Sequence, residues 1–181
     1  MKNNVKYINK LRKILSRDEF DEFEHDKEFL IDLGCSYLEI EDFKKAFKIF
    51  SLGFRFIGND PDILNGIGVT LCELGKLNIS KQMLDIALEL YPDDAITMAN
   101  LAGVYWERVD FDKAIYYYNK SLEFDPTIVE SHLNLINLYY ERGDLYMAYI
   151  AALNLLKIDP DNPQAVEIRD DIIIDIGLSV F

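Results

Sequence analysis

Apolar residues in this chain recur at helical spacing, in stretches that end at short polar or glycine-containing turns. The stretches come in pairs, and the pairs repeat every 34 residues from Lys27, Pro61, Ala95 and Val129 without a gap. Because two short amphipathic helices cannot bury their apolar faces alone, each pair is expected to stack against the next. The pattern therefore predicts an all-α chain of antiparallel helix pairs.

Residue size is regular at several places of the repeated unit, counted from its first residue. The residue at the eighth place is small in three units: Gly34, Gly68 and Ala102. The residue at the twentieth place is small in all four: Ala46, Ser80, Ala114 and Ala148. Small side chains allow two helices to approach closely. In the fourth unit Ile136 and Leu155 stand where small residues are expected, and Ala152 replaces a large one. We expect this volume swap to keep the packing dense.

Helix boundaries are also marked in the sequence. Second helices are expected to end before Pro92, Pro126 and Pro160, and Gly58 is expected to end the corresponding helix of the first unit. Asp60, Asp94 and Asn162 directly precede first helices and are predicted N-caps. Gly75 and Gly143 mark the turns within two of the units.

This period and pattern resemble the tetratricopeptide repeat (TPR), most specifically in the segment LAGVYWERVDFDKAIYYYNKSLEFDP. The resemblance implies an all-α fold, a right-handed TPR superhelix (α-solenoid) of antiparallel helix pairs. It predicts four units, preceded by an N-terminal helical arm and followed by a C-terminal capping helix and tail. The predicted ranges are 1–26 for the arm, 27–60, 61–94, 95–128 and 129–162 for the units, and 163–181 for the cap and tail.

Charge is distributed unevenly along the chain, whose net charge is −13. Residues 1–17 hold six basic and no acidic residues, whereas the remainder holds 13 basic and 32 acidic residues. An acidic body would repel nucleic acid and favours cationic or mixed partners. No apolar run is long enough to span a membrane, and no signal peptide is predicted. Cys35 and Cys72 are predicted to be free thiols, which favours a cytoplasmic location.

The N-terminal arm places Val5, Ile8, Leu11 and Leu15 on one helical face. Two interpretations are open. The arm either covers the open face of the first unit, or it is a docking or dimerising element that would make a homodimer.

No pattern for catalysis, metal binding or a phosphate loop is present in the sequence. His132 stands at the fourth place of its unit, where the other units hold apolar packing residues, so a core histidine is expected. We therefore predict no enzyme activity, no cofactor and no metal site.

In proteins of this family, the first helices line a concave groove that binds extended or helical peptide segments. Transferred to this chain, the resemblance predicts a groove that combines apolar side chains with amides able to bond a peptide backbone. The predicted peptide-binding residues are Ile31, Cys35, Leu38, Asn65, Val69, Cys72, Glu73, Trp106, Glu107, Asn134, Asn137, Tyr140 and Glu141. The fifth place carries no lysine in any unit, which argues against the carboxylate-binding mode of some family members.

Two functions are consistent with these predictions. The first is an adaptor or scaffold that holds another protein, and the second is a small acidic cytoplasmic chaperone of a secretion or flagellar export system.

The thirteenth place is glutamate in every unit: Glu39, Glu73, Glu107 and Glu141. If this place faces the groove, the ligand is expected to be a segment with apolar and basic residues, anchored on Trp106 and Tyr140.

Overall fold

The computed structural model describes residues 26–175, which form nine α-helices and no strand. The helices are α1 (Lys27–Glu39), α2 (Phe43–Ile57), α3 (Pro61–Glu73), α4 (Leu77–Leu90), α5 (Ala95–Glu107), α6 (Phe111–Phe124), α7 (Val129–Glu141), α8 (Leu145–Ile158) and α9 (Pro163–Asp175). The all-α prediction is therefore confirmed. Each first helix begins at the first residue of a predicted unit. Within residues 26–175, no helix is long and apolar enough to cross a membrane. The predicted arm, apart from Asp26, and the last residues of the tail lie outside the described part.

The helices form two compact units, each of which contains two of the 34-residue repeats. From here on, the first unit is α1–α4 and the second unit is α5–α9. Within each unit, consecutive helices pack as pairs across three-residue turns. The core of the first unit lies between α1, α2 and α3. Its buried residues are Leu30, Leu33, Tyr37, Ala46, Ile49, Phe50, Ile63, Ile67 and Leu71.

Phe50 explains why small residues recur in the first unit. Its ring lies against the backbone of two helices, because a Cβ added at Gly34 on α1 or at Gly66 on α3 would come within 2.5 Å of the ring's Cζ atom. In the next pair, a Cβ at Gly68 would collide with Leu84 in the same way. In each of these two pairs, the large side chain of the twenty-fourth place packs directly against the glycine of the eighth place. This contact requires a small residue at the eighth place.

The residues of the volume swap in the second unit are buried. Ile136, Ala152 and Leu155 are each 0% exposed, so the exchanged large and small side chains all lie in the interior. Buried hydroxyls also have partners there, since Ser121 Oγ and Ser131 Oγ lie 3.1 Å apart.

The turn within every pair contains a residue with a left-handed backbone at the fifteenth place. Gly75 and Gly143 have φ values of +69° and +78°, but Glu41 and Val109 adopt the same conformation with φ of +58° and +60°. The sequence had indicated this turn by a glycine in only two of the four repeats. The turn geometry is thus retained even where a β-branched residue makes it unfavourable.

The predicted N-caps are confirmed. Asp60 Oδ1 accepts hydrogen bonds from the backbone N–H groups of Asp62 and Ile63, and Asp94 and Asn162 cap α5 and α9 in the same manner. Gly58 ends α2 with φ of +94°. The second helices of three pairs are capped by aspartates at the sixteenth place, which were not among the predicted N-caps: Asp42, Asp110 and Asp144.

Candidate peptide-binding surfaces

The predicted peptide-binding residues all lie on the first helices, and none of them is fully buried. Those of the first unit are on α1 and α3: Ile31, Cys35, Leu38, Asn65, Val69, Cys72 and Glu73. Those of the second unit are on α5 and α7: Trp106, Glu107, Asn134, Asn137, Tyr140 and Glu141. We refer to these two sets as the α1–α3 surface and the α5–α7 surface.

The α1–α3 surface is mainly apolar, and some of its side chains also pack against the core. Ile31 and Leu38 are half-buried and pack against the core cluster of the first unit. Val69 is half-buried on α3, while Cys35 and Glu73 are exposed. This surface therefore offers apolar side chains at partial exposure beside the exposed carboxylate of Glu73.

Acidic neighbours and burial suppress the reactivity of the thiol on α1. Although the residue as a whole is exposed, partial burial of the sulfur raises the pKa of the Cys35 thiol, and the nearby carboxylates of Asp32 and Glu39 raise the pKa further. The thiol is consequently protonated at neutral pH. It serves this surface as a small apolar side chain, not as a nucleophile.

On the α5–α7 surface, one aromatic side chain is held in place by contacts from two other helices. Trp106 Nε1 donates a hydrogen bond to Glu141 Oε2 on α7 at 3.2 Å. Its ring also makes an edge-to-face contact with Tyr118 on α6, with ring centroids 6.5 Å apart. These contacts fix the orientation of the half-buried indole. Tyr140, beside Glu141 in the chain, is 44% exposed.

Amides lie on the same helices as the aromatic side chains. Asn134 and Asn137 are half-buried on α7. Asn137 Oδ1 accepts a hydrogen bond from Gln164 Nε2 of α9 at 3.1 Å, which links the capping helix to this surface. Gly103, which was not among the predicted residues, occupies the ninth place of its repeat, as Asn137 does in the next repeat. A Cβ there would meet only Tyr118 Oη, at 3.6 Å, so a larger side chain could be accommodated at this position of α5.

The four glutamates of the thirteenth place are all exposed. Glu141 accepts the hydrogen bond of Trp106, so its carboxylate also has a structural role. At the second place, Asp62 pairs with Lys27, whose Nζ lies 2.9 Å from its carboxylate. Exposed glutamates therefore border both surfaces, although not every acidic group near them is available to a ligand.

A pocket of about 430 Å³ lies elsewhere in the second unit and contains none of the predicted residues. Side chains of α6, α7 and α8 line it, among them Leu122, Tyr139, Met147 and Ile150. Ala151 lines it at the twenty-third place of its repeat, where the other repeats hold larger residues: Ile49, Met83 and Tyr117. That substitution was the available signal in the sequence. Its lining includes the ionisable side chains of Glu123, His132 and Lys157. It has neither the exposed aromatic side chain nor the glutamates of the thirteenth place that the first-helix surfaces carry.

His132 is a core residue, as predicted. It is 7% exposed, and its Nε2 atom lies 2.9 Å from the backbone carbonyl oxygen of Pro126. Among the residues that the structure describes, no three His, Cys, Asp or Glu side chains are grouped so as to hold a metal ion.

Comparison with known sequences identifies the repeat. The tetratricopeptide repeat profile matches residues 60–127. BBSome complex member BBS4 of Bos taurus is 29% identical over 123 residues, which are 68% of this chain and 24% of that protein. The uncharacterized protein ycf37 of Guillardia theta is 31% identical over 125 residues, which are 58% of this chain and 70% of the relative. The chain thus spans about a quarter of BBS4 and 12% of the CTR9 homolog of Arabidopsis thaliana, another relative.

Solved structures agree on the fold. YrrB, described as a TPR protein with an unusual peptide-binding site, superposes with a TM-score of 0.69 at 19% identity, covering 93% of this chain and 88% of YrrB. TTC0263, a thermophilic TPR protein of Thermus thermophilus, gives a TM-score of 0.70 at 15% identity and covers 83% of both chains. At these identities the likeness concerns the fold. Together with the matched repeats, it shows that the chain belongs to the tetratricopeptide repeat family of protein–protein interaction scaffolds.

Proposed function

We propose that this chain is a non-enzymatic adaptor that binds a peptide or helical segment of a partner protein on its first-helix surfaces. We assign the main anchoring role to the α5–α7 surface. One observation carries the proposal: Trp106 is oriented by a hydrogen bond to Glu141 and by the ring of Tyr118, while Tyr140 stays 44% exposed on the same helix as Glu141. Rigid aromatic side chains with part of their surface open are typical anchors of protein interfaces.

The chemistry of the surface indicates which segment it binds. Aromatic and aliphatic groups favour an apolar side chain of the ligand, and the amides of Asn134 and Asn137 can pair with its backbone. The exposed carboxylates of Glu107 and Glu141 favour Lys or Arg between the apolar positions. Exposed ion pairs contribute only about 0.2–1 kcal/mol each, so the carboxylates act mainly on orientation and association rate.

The peptide-binding site named for YrrB supports this proposal by analogy of fold. The alternative of an export chaperone stays a prediction, because no observation on the two surfaces favours it over an adaptor.

A peptide-binding screen tests the proposal. Short arrayed peptides in which Lys or Arg alternates with Leu, Phe or Tyr would be probed with the full chain, next to matched peptides carrying Asp or Glu instead. We expect binding to the basic set, with faster association at low salt than at high salt. Glu73→Gln and Glu107→Gln should slow association and flatten the salt dependence, and both leave the Trp106–Glu141 hydrogen bond intact.

Two substitutions locate the site. Tyr140→Ala removes an exposed anchor and should weaken binding about 30-fold, the equivalent of about 2 kcal/mol. Gly103→Gln adds a larger side chain to α5 and should block the ligand without disturbing the fold. Tyr146→Ala is the matched control, because Tyr146 is 68% exposed on a second helix. Equal affinity of all three variants for the selected peptides would refute the assigned surface.

A further inference from the structure

The second helix of the first unit, α2, is basic, although the chain that follows position 17 is acidic overall. It contains four of the 13 basic residues that follow position 17, and it has no acidic residue. All four of these side chains are exposed: Lys44, Lys45, Lys48 and Arg55. Two phenylalanines are exposed among them, Phe47 at 37% and Phe54 at 42%.

These exposed residues share one face of the helix. Phe47 and Phe54 are seven residues apart, which is about two turns or roughly 10.5 Å along the axis. Lys48 and Arg55 have the same spacing beside them. We call Lys44, Phe47, Lys48, Phe54 and Arg55 the basic face of α2.

Local partners account for only part of this charge. Lys45 pairs with Asp42, and the Arg55 guanidinium lies 5.5 Å from the centre of the Phe56 ring. Within residues 26–175, no ion pair is formed by Lys44 or Lys48. The basic face therefore presents cations and aromatic rings that the described part of the chain does not neutralise or cover.

The equivalent places of the other pairs are better covered. Phe54 stands at the twenty-eighth place, where Leu88, Leu122 and Leu156 are half-buried. Phe47 stands at the twenty-first place, where the corresponding residues are again half-buried: Lys81, Ile115 and Tyr149. Among the described helix pairs, only α2 has an exposed phenylalanine at both places. Two phenylalanines exposed side by side on one helix face form an apolar patch, and such patches mark interaction sites.

We propose that the occupant is the chain's own segment 18–24, with the sequence DEFDEFE, bound along the basic face of α2. The segment carries five carboxylates and two phenylalanines, Phe20 and Phe23. Its charge is opposite to that of α2, and its aromatic side chains match the exposed rings. This chemistry distinguishes it from residues 1–17, which are basic and would be repelled by α2.

The connection to the described part of the chain lets the segment reach this face. Lys27 Nζ lies 2.7 Å from Asp60 Oδ2, so the start of α1 is next to the residues that follow α2. Residue 24 is three positions before Lys27, so segment 18–24 is tethered within reach of the Arg55 end of α2. From Arg55 to Lys44, α2 runs about 16 Å, whereas seven extended residues span up to about 25 Å. Tethering also supplies a high effective concentration, which favours this segment over a free acidic peptide.

Zero-length crosslinking with a carbodiimide tests the proposal on the full chain. The reagent joins a lysine to a carboxylate in direct contact, and mass spectrometry identifies the joined peptides. We expect links from Lys44 or Lys48 to carboxylates of segment 18–24, formed within one chain in a mixture of ¹⁴N- and ¹⁵N-labelled protein. The Lys27–Asp60 ion pair serves as the internal positive control.

A matched pair of variants separates docking from chance encounters of a tethered segment. Phe20→Ser with Phe23→Ser keeps every carboxylate but removes the apolar contacts. It should lower the initial crosslinking rate about tenfold, the equivalent of about 1.4 kcal/mol. Phe124→Ser, at an exposed phenylalanine of α6, is the control and should leave the rate unchanged.

Three results would overturn the proposal. The first is the absence of these links while Lys27 and Asp60 are joined. The second is an unchanged rate in the Phe20/Phe23 variant. The third is that the links form between differently labelled chains, which would make a second copy the occupant of the basic face.

Discussion

Trp106 and Glu141 are 35 residues apart in the chain, yet the indole N–H of one donates a hydrogen bond to the carboxylate of the other at 3.2 Å. The contact joins α5 to α7, the two first helices of the second unit. Glu141, the thirteenth-place glutamate of α7, therefore also has a structural role. It orients the aromatic side chain one helix away, to which we assign an anchoring role in peptide binding.

Glu141→Ala is expected to change the environment of Trp106 with little loss of stability. Trp106 is the only tryptophan of the chain, so its fluorescence reports on this site without interference from another indole. We expect a shift of the emission maximum, and a loss in the free energy of unfolding of no more than about 1 kcal/mol because the hydrogen bond is exposed. Glu107→Ala, at an exposed glutamate of α5, is the control. If both variants emit like the parent, the hydrogen bond is absent in solution.

Gly66→Ala is expected to destabilise the first unit. A Cβ at this position would run into the ring of the fully buried Phe50, which also lies against Gly34 and cannot move away. Overpacking of this kind costs about 1–3 kcal/mol in the free energy of unfolding.

Gly103→Ala is the matched control, because its Cβ would meet only Tyr118 Oη at an ordinary distance of 3.6 Å. Alanine is the better helix former by about 0.5–1 kcal/mol, so this variant should be stabilised. Chemical denaturation of both proteins measures the two effects. Opposite signs are predicted, and a loss of similar size in both variants would contradict the packing described for Phe50.

Val109→Gly is expected to stabilise the second unit. Val109 is 70% exposed and holds a left-handed backbone, with φ of +60°, at the turn between α5 and α6. Relief of this strain outweighs the greater entropy of glycine in the unfolded chain, so we expect a gain of about 1 kcal/mol in the free energy of unfolding. The reverse change, Gly75→Val at the same place of another pair, should lose a comparable amount. A destabilised Val109→Gly protein would show that this turn is not strained.

The thiol of Cys35 is expected to react slowly with alkylating reagents at neutral pH. Burial and the carboxylates of Asp32 and Glu39 raise its pKa, so the thiolate is scarcer than in a free cysteine. Because the folded state holds this proton more tightly than the unfolded state, stability should fall as pH rises above the ordinary thiol pKa of about 8.5.

The pH dependence of alkylation, followed for each cysteine by peptide mass spectrometry, checks this prediction. Asp32→Asn should move the midpoint of the Cys35 profile to lower pH but leave it above that of a free thiol, since burial is the larger cause. A midpoint at or below that of a free thiol in the parent protein would contradict the proposed environment.

The periodic sequence was sufficient to predict the fold of this protein. The repeat length, the start of each first helix, the caps at Asp60 and Asp94 and the buried His132 all follow from local pattern, because helix periodicity and capping act over a few residues. The assignment of the peptide-binding residues to first helices also followed from the repeat. Whether they bind a ligand stays a proposal.

Tertiary structure decided how side chains from different helices meet. The hydrogen bond of Trp106 to Glu141, the ring of Phe50 against Gly66 and the pocket beside Ala151 depend on helix rotation and spacing, which the periodicity leaves open. The left-handed backbone of Val109 has the same origin. Packing of α5 against α6 imposes one turn geometry on the pair, and its favourable burial outweighs the local preference of a β-branched residue.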